Sequence, residues 1–251
     1  MHRMAKIALC FLSYGDIEQK EIWRPFFESE QYTIFLHRAD GHPGCNVIPH
    51  RATSWGTFSL VQAQQDLFNE AIKDPAVTKC VLLSGDSIPL YSPAFVFEVL
   101  TRDDKGYIES HTPSNTNHIA RKEGARDLQW PWKVGSQWVV LTRKHVEMLQ
   151  EHWTTITSVF EHVTVADEHV YPTFFNGCLE TFHTKPIMFV NWSKVPSRCP
   201  LGHRPQPATY HVRDLTPHNM RHIYSTGCLF MRKICSSQQV ALDSEFGVGT
   251  R

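Results

Sequence analysis

The amino-acid sequence predicts an α/β fold: a mostly parallel central sheet flanked by helices. Over roughly the first hundred residues, β-type runs alternate with amphipathic helical runs, the pattern of a layered sheet with crossover helices. A buried run, Val77 to Leu83, ends in the polar corner Ser84-Gly85-Asp86-Ser87. In open α/β sheets ligands bind where strands end at the carboxyl edge, so this corner marks a candidate site. The 251 residues, 41% hydrophobic and 20% charged, suffice for one such domain with a sizeable core.

Each element has its own local reason. Lys6 to Leu12 is an apolar run that predicts a buried first strand. Ser13-Tyr14-Gly15-Asp16 is a turn, with Asp16 as N-cap of a helix over Ile17 to Phe27 that sets Ile22, Trp23, Phe26 and Phe27 on one face. Tyr32 to Leu36, β-branched and aromatic, predicts a second strand, and Val47-Ile48 a short third. Phe58 to Lys73 is the clearest helix. Leu60, Ala63, Leu67, Phe68, Ala71 and Ile72 recur at spacings of three and four, Thr57 or Ser59 caps it, and Asp74-Pro75 ends it. Val77 to Leu83 is a strand, and Phe95 to Leu100 a helix with Pro93 near its start.

Residues 102 to 133 are polar and irregular, which predicts a long loop that is functional or mobile. Ser136 to Leu141 predicts a strand, and Thr142-Arg143 opens a helix to about His152. Asp167-Glu168-His169 precedes a short helical or extended segment through Phe175. Lys185 to Asn191 is a further strand, Ser193 to Thr209 a Pro-rich basic loop or lid, and Gly227 to Met231 a late strand running into Arg232-Lys233. The domain is expected over residues 1–242, with a frayed tail over 243–251.

Composition excludes several classes. Lys plus Arg equals Asp plus Glu, 25 each, so no global field attracts nucleic acid or anionic membrane. No apolar run of about 18 residues predicts a membrane span, and no signal-peptide pattern opens the chain, so a cytoplasmic protein is expected. Seven cysteines are scattered and never spaced Cys-x-x-Cys, which predicts reduced core thiols such as Cys10 and Cys80. The glycine motifs of dinucleotide enzymes and NTPases and the Gly-x-Ser-x-Gly of hydrolases are absent.

The chemistry-bearing candidates are few. Asp167-Glu168-His169 offers a carboxylate that can act as general base at the mouth of a sheet. By spacing alone it reads more readily as a helix N-terminus, where acidic side chains offset the dipole. Asp167 and His169 could ligate a metal, but no third ligand is spaced to complete a site, and Cys199 with His203 is only a weak hint of another. Arg232, Lys233, Lys194, Arg198 and Arg204 are cations from separate segments that could meet around a diphosphate, or else be solvated one by one. The chain has no Asp-x-Asp, since Asp86 stands alone and Asp103-Asp104 are adjacent. A nucleotide-sugar enzyme without that motif would neutralise its leaving diphosphate with cations.

Several segments agree in order with one family: Phe11 to Asp16, Ile22 to Phe27, Ile34 to His37, Trp55-Gly56 with the helix after it, and Val81 to Leu90. Trp132 to Trp138, Asp167 to Thr173, Asn191 to Lys194 and Leu229 to Lys233 complete the series. Over roughly residues 5 to 240 the chain resembles the core-2/I-branching β-1,6-N-acetylglucosaminyltransferase family, in its plant-type and microbial branch. The resemblance implies a single GT-A-like nucleotide-sugar-binding domain, a UDP-sugar donor, a glycan or glycoprotein acceptor, inversion at the anomeric carbon and no metal or other cofactor.

Carried over by position, Glu168 is the catalytic base. Lys233 and Arg232 hold the diphosphate with a loop arginine, Arg204 before Arg198. Leu12, Tyr14, Gly15, His37 and Asp40 line the uridine site. Asp86, Ser84, Trp55, Trp132, Lys133, Gly135, Ser136, Gln137, Trp138 and Asp167 border the donor sugar and acceptor. His37-Arg-Ala-Asp40 is one residue longer than the family's His-x-Asp, and Ser84-Gly85-Asp86 replaces its Ser-Glu-Ser. Xylose is favoured over N-acetylglucosamine as the donor sugar, since no N-acetyl or carboxylate pocket is legible. A non-catalytic carbohydrate or UDP-binding module and a metal-dependent hydrolase on Asp167 and His169 are the alternatives.

Overall fold

The computed structural model describes residues 5–37, 45–192 and 207–235. Strand β1 (Lys6–Leu12) is wholly buried from Ile7 to Phe11. A strand buried on both faces needs cover on both, and crossover helices supply it. Helix α1 (Lys20–Phe27) leads to β2 (Tyr32–His37), the parallel neighbour of β1 on one side, and β3 (Asn46–Ile48) pairs in parallel with β2. Helix α2 (Ser59–Ala71) then returns the chain to β4 (Val77–Ser84), parallel to β1 on its other side. Right-handed crossovers to opposite sides of β1 set α1 and α2 on opposite faces. The gap between the ends of β1 and β4 is therefore the point where strand order reverses.

The chain continues through β5 (Ile88–Pro89), α3 (Pro93–Thr101), β6 (Gly106–Tyr107) and α4 (Thr116–Ala120). Then come β7 (Val140–Thr142), α5 (Arg143–Glu151), α6 (Trp153–Phe160) and α7 (Val170–Phe174). β8 (Phe182–His183), β9 (Met188–Val190), α8 (Pro217–Ser225) and β10 (Phe230–Arg232) complete the described elements. The main sheet runs β3-β2-β1-β4-β7-β6-β8. Strand β7 is antiparallel to both its neighbours while the other pairs are parallel, so the sheet is mixed but mostly parallel. A small second sheet, β5-β10-β9, carries its own apolar cluster of Ile88, Leu90, Met220, Ile223 and Met231. Phe230 joins it to the main core by stacking on Trp23, whose indole N–H donates to the Ser87 carbonyl at 2.9 Å.

Local differences from the sequence expectations have physical reasons. Helix α1 starts at Lys20, not Ile17, and Asp16 is not its N-cap. The Asp16 carboxylate accepts from the Ile17 N–H, and the Glu18 N–H donates to the Gly85 carbonyl, so residues 16–18 are tied to the β4 corner. Neither Thr57 nor Ser59 caps α2: the N-cap is Phe58, and Ser59 Oγ accepts from the Ser54 N–H to close the turn instead. The strand expected over Ser136–Leu141 pairs only from Val140, because Ser136 Oγ accepts from the Trp138 N–H and bends the chain. The irregular stretch 102–133 contains β6 and α4. Helix α6 was not expected; its Thr and Val side chains favour strands, but Ile156, Val159 and Phe160 bury into the core. Helix α8 and the second sheet were not expected either. Cys10 and Cys80 are buried thiols, as expected, and Cys228 is a third. The tail over 243–251 and the loop cations Lys194, Arg198 and Arg204 lie outside the described residues, as does Asp40.

Candidate functional site

The corner after β4 packs onto the corner after β1. A Cβ on Gly85 would lie 2.2 Å from Ser13 Oγ and 3.0 Å from the Asp16 carbonyl, so the two turns meet as only a glycine allows. Asp86 is not solitary in space. Arg232 grips it with both arms of the guanidinium, Nε to Oδ1 at 3.1 Å and Nη2 to Oδ2 at 3.2 Å. Ser84 Oγ donates to Oδ1, and the Ile234 N–H donates to the Asp86 carbonyl. Burial pushes the Asp86 carboxyl up, but the Arg232 charge and hydrogen bonds, the Ser84 hydroxyl and the Lys233 charge together hold it below its usual range. The guanidinium also lies over the Trp138 ring, 4.6 Å from its centroid. Lys233 acts on the same corner, lowering the basicity of both Asp86 and Glu18, while burial and the Asp86 charge raise the Glu18 carboxyl to about 6.

The Asp-Glu-His segment forms a 3-10 turn, Ala166–Glu168, that runs into α7. Its residues clamp the Trp132–Gly135 chain. Nδ1 of buried His169 donates to the Lys133 carbonyl at 2.7 Å. Thr173 Oγ1 accepts from the Lys133 N–H at 3.0 Å, and the Glu168 carbonyl accepts from the Gly135 N–H at 2.9 Å. Trp132 stacks on the His169 ring, centroids 4.3 Å apart, and its indole N–H donates to the His118 carbonyl. Gly135 is required here, because a Cβ would sit 1.9 Å from the Glu109 carbonyl oxygen.

The Glu168 carboxylate itself is about a quarter exposed and is held by Arg121, Nη1 to Oε2 at 2.6 Å. Arg121 Nη1 is also 3.0 Å from His118 Nδ1, which lies 3.8 Å from Glu168 Oε2 and 3.4 Å from His169 Nε2. Burial lowers the basicity of His169 to about 4. Asp167 differs from its neighbour: it is buried, Oδ1 has no partner, and burial with the Glu168 charge raises its carboxyl to about 7. The metal ligand that sequence spacing did not supply is present in space, but His118 pairs with Glu168 and His169 and not with Asp167.

Residues 135–138 link the two halves. Gly135 bonds the Glu168 backbone, and Trp138 carries the Arg232 guanidinium. The Leu82 N–H donates to the Val139 carbonyl, which places 135–138 at the carboxyl end of β4. Three residue steps span about 10 Å at most, so the Glu168 turn and the Arg232–Asp86 pair flank one short backbone edge. Gln137 accepts from Gln64, which in turn accepts from the buried Tyr171 hydroxyl at 2.6 Å, a polar chain beneath that edge.

The remaining candidates are distributed around it. Leu12 ends β1, and Tyr14 and Gly15 follow it, with Tyr14 79% exposed. Trp55 is exposed on a turn whose Gly56 carbonyl accepts from the Val165 N–H, beside the Asp-Glu-His segment. Lys133 reaches Thr112 Oγ1. His37 is buried, and its Nε2 accepts from the Arg51 N–H, so the ring anchors the chain after β3. His118 and Arg121 are the residues that sequence reading missed. They lie in the polar stretch, 51 and 47 positions from their partners, and no local signal marks them.

A family model described as Core-2/I-Branching enzyme matches residues 7–224, a span that contains Glu168 but ends before Arg232 and Lys233. The rice (Oryza sativa subsp. japonica) protein "Glycosyltransferase BC10" is 24% identical over 232 residues, covering 84% of this chain and 53% of its own. The chain thus spans about half the length of the curated relative it matches.

Proposed function

The chain belongs to the core-2/I-branching enzyme family of glycosyltransferases, and on that premise we propose that it moves a sugar from a UDP-sugar to a hydroxyl of a glycan acceptor. The family implies a GT-A-like fold, into which the mixed sheet fits. Glu168 is the general base: it takes the acceptor proton as that oxygen attacks the anomeric carbon from the face opposite UDP, so the product is inverted. Lys233 and Arg232 receive the diphosphate. Transfer proceeds without a catalytic metal, because Arg232 already neutralises Asp86 where a cation would otherwise be recruited. Xylose remains the preferred donor sugar, with N-acetylglucosamine next.

The observation that carries this reading is the backbone edge Gly135–Trp138, with a partly exposed carboxylate at one end and the Arg232 guanidinium at the other. A buried polar chain and a glycine-only contact hold that edge, which suits a site that must keep a base within reach of a donor. Replacing Glu168 by Gln keeps shape and removes the base. E168Q is expected to lose sugar transfer by about 10²–10⁴-fold with UDP affinity unchanged in calorimetry. Normal turnover in E168Q rules out Glu168 as base. Loss of UDP binding together with turnover would make it a donor ligand instead.

A further inference from the structure

We propose that His118 Nδ1, His169 Nε2 and the Glu168 carboxylate form a binding site for a divalent transition ion of the Zn²⁺ type, which takes the place of Arg121 and silences Glu168. The inhibitory half rests on Glu168 being the base; the site itself does not.

The tautomers argue for it first. His169 Nδ1 is 2.7 Å from the Lys133 carbonyl, which only accepts, so the proton is on Nδ1 and Nε2 presents a lone pair. That arrangement, a ring N–H fixed on a carbonyl with the other nitrogen turned to the site, is how proteins prepare an imidazole for a metal. Opposite it, His118 Nδ1 faces Arg121 Nη1 at 3.0 Å, and a guanidinium only donates. With Nδ1 as acceptor, two lone pairs oppose each other across 3.4 Å. With Nδ1 protonated instead, its proton competes with that of Arg121. Two acceptor atoms thus converge on one guanidinium nitrogen, with the His169 lone pair set against one of them, which satisfies Glu168 well and the imidazoles poorly.

A metal ion resolves that conflict, and the spacing fits one. A tetrahedral ion with Zn–N bonds of about 2.0–2.1 Å sets its nitrogens about 3.3–3.4 Å apart. His118 Nδ1 and His169 Nε2 are 3.4 Å apart, and Glu168 Oε2 is 3.8 Å from His118 Nδ1, a small side-chain rotation from the same edge length. All three ligand atoms lie within 4.8 Å of one another. Both imidazoles are already positioned by Trp132, which stacks on one and bonds the backbone of the other. His118 and Glu168 are partly exposed, which gives the ion an entry and leaves its fourth position for water. Two nitrogens and one carboxylate select Zn²⁺, Co²⁺ or Ni²⁺ over Mg²⁺.

Cobalt titration of the purified, untagged full chain tests the site directly. The expected result is one equivalent bound with the visible band of a four-coordinate nitrogen–oxygen site, no thiolate charge-transfer band, and displacement by Zn²⁺ but not Mg²⁺. His118→Ala should weaken binding at least about tenfold. Arg121→Met, which removes the competing cation, should tighten it about tenfold and needs no loss of structure to be read. Absence of the band, a band with thiolate character, or affinity indifferent to both variants overturns the proposal. Binding is read from the spectrum, so full turnover with the ion bound would leave the site standing and overturn Glu168 as base.

Discussion

At the scale of single residues, adjacent carboxylates are given opposite environments. Glu168 is open and paired with Arg121, whereas Asp167 is buried with an unpartnered oxygen and a carboxyl raised to about 7. A raised carboxyl binds its proton in the folded state at pH values where the unfolded chain has lost it. Asp167 therefore subtracts stability as pH rises from about 4 through about 7, by on the order of 4 kcal/mol at the alkaline limit. Asp167→Asn should be more stable than the natural chain above pH 7, with the gap closing toward pH 4 in denaturant titrations. Asp86 has the opposite sign: held low, mainly against burial and by Arg232, it adds stability that is present above its unfolded value and lost in acid. Arg232→Met leaves that carboxylate without its fork. Since Asp86 is a quarter exposed, the loss is about 2 kcal/mol rather than the full cost of a buried orphan charge. The loss should disappear in acid, as urea midpoints across pH will read.

At the scale of elements, the site depends on short segments that pass unusually close. The Gly135 backbone runs against Glu109 while bonding the Glu168 carbonyl. Gly135→Ala must push these apart, at about 1–3 kcal/mol, and should lower kcat more than UDP affinity because it moves the Glu168 turn. Equal losses in both would locate the strain elsewhere. The long elements were legible in sequence because their patterns are long: the buried β1 and β4 and the three- and four-residue spacing of α2. Strands β5, β6 and β8, two residues each, carry no period to read. Helix α6 was hidden by its β-branched composition, and the start of α1 by a tertiary bond to Gly85.

At the scale of the molecule, the sheet brings together what the sequence keeps apart. Asp167-Glu168-His169 could be found because its members are contiguous. The partners that give them their properties, Arg121 with Glu168 and Arg232 with Asp86, lie 47 and 146 positions away, and only the fold pairs them. The reversal of strand order between β1 and β4 sets the Ser84-Gly85-Asp86 corner at the sheet edge where ligands of open α/β sheets bind, and Arg232 from the second sheet supplies its countercharge. In the proposed reaction this corner receives UDP with protein cations alone. Calorimetric titration of UDP into the full chain in excess EDTA is the decisive test. Saturable 1:1 binding is expected, weakened in Arg232→Met and preserved in E168Q. No binding at millimolar UDP, or binding restored only by added metal, would contradict it.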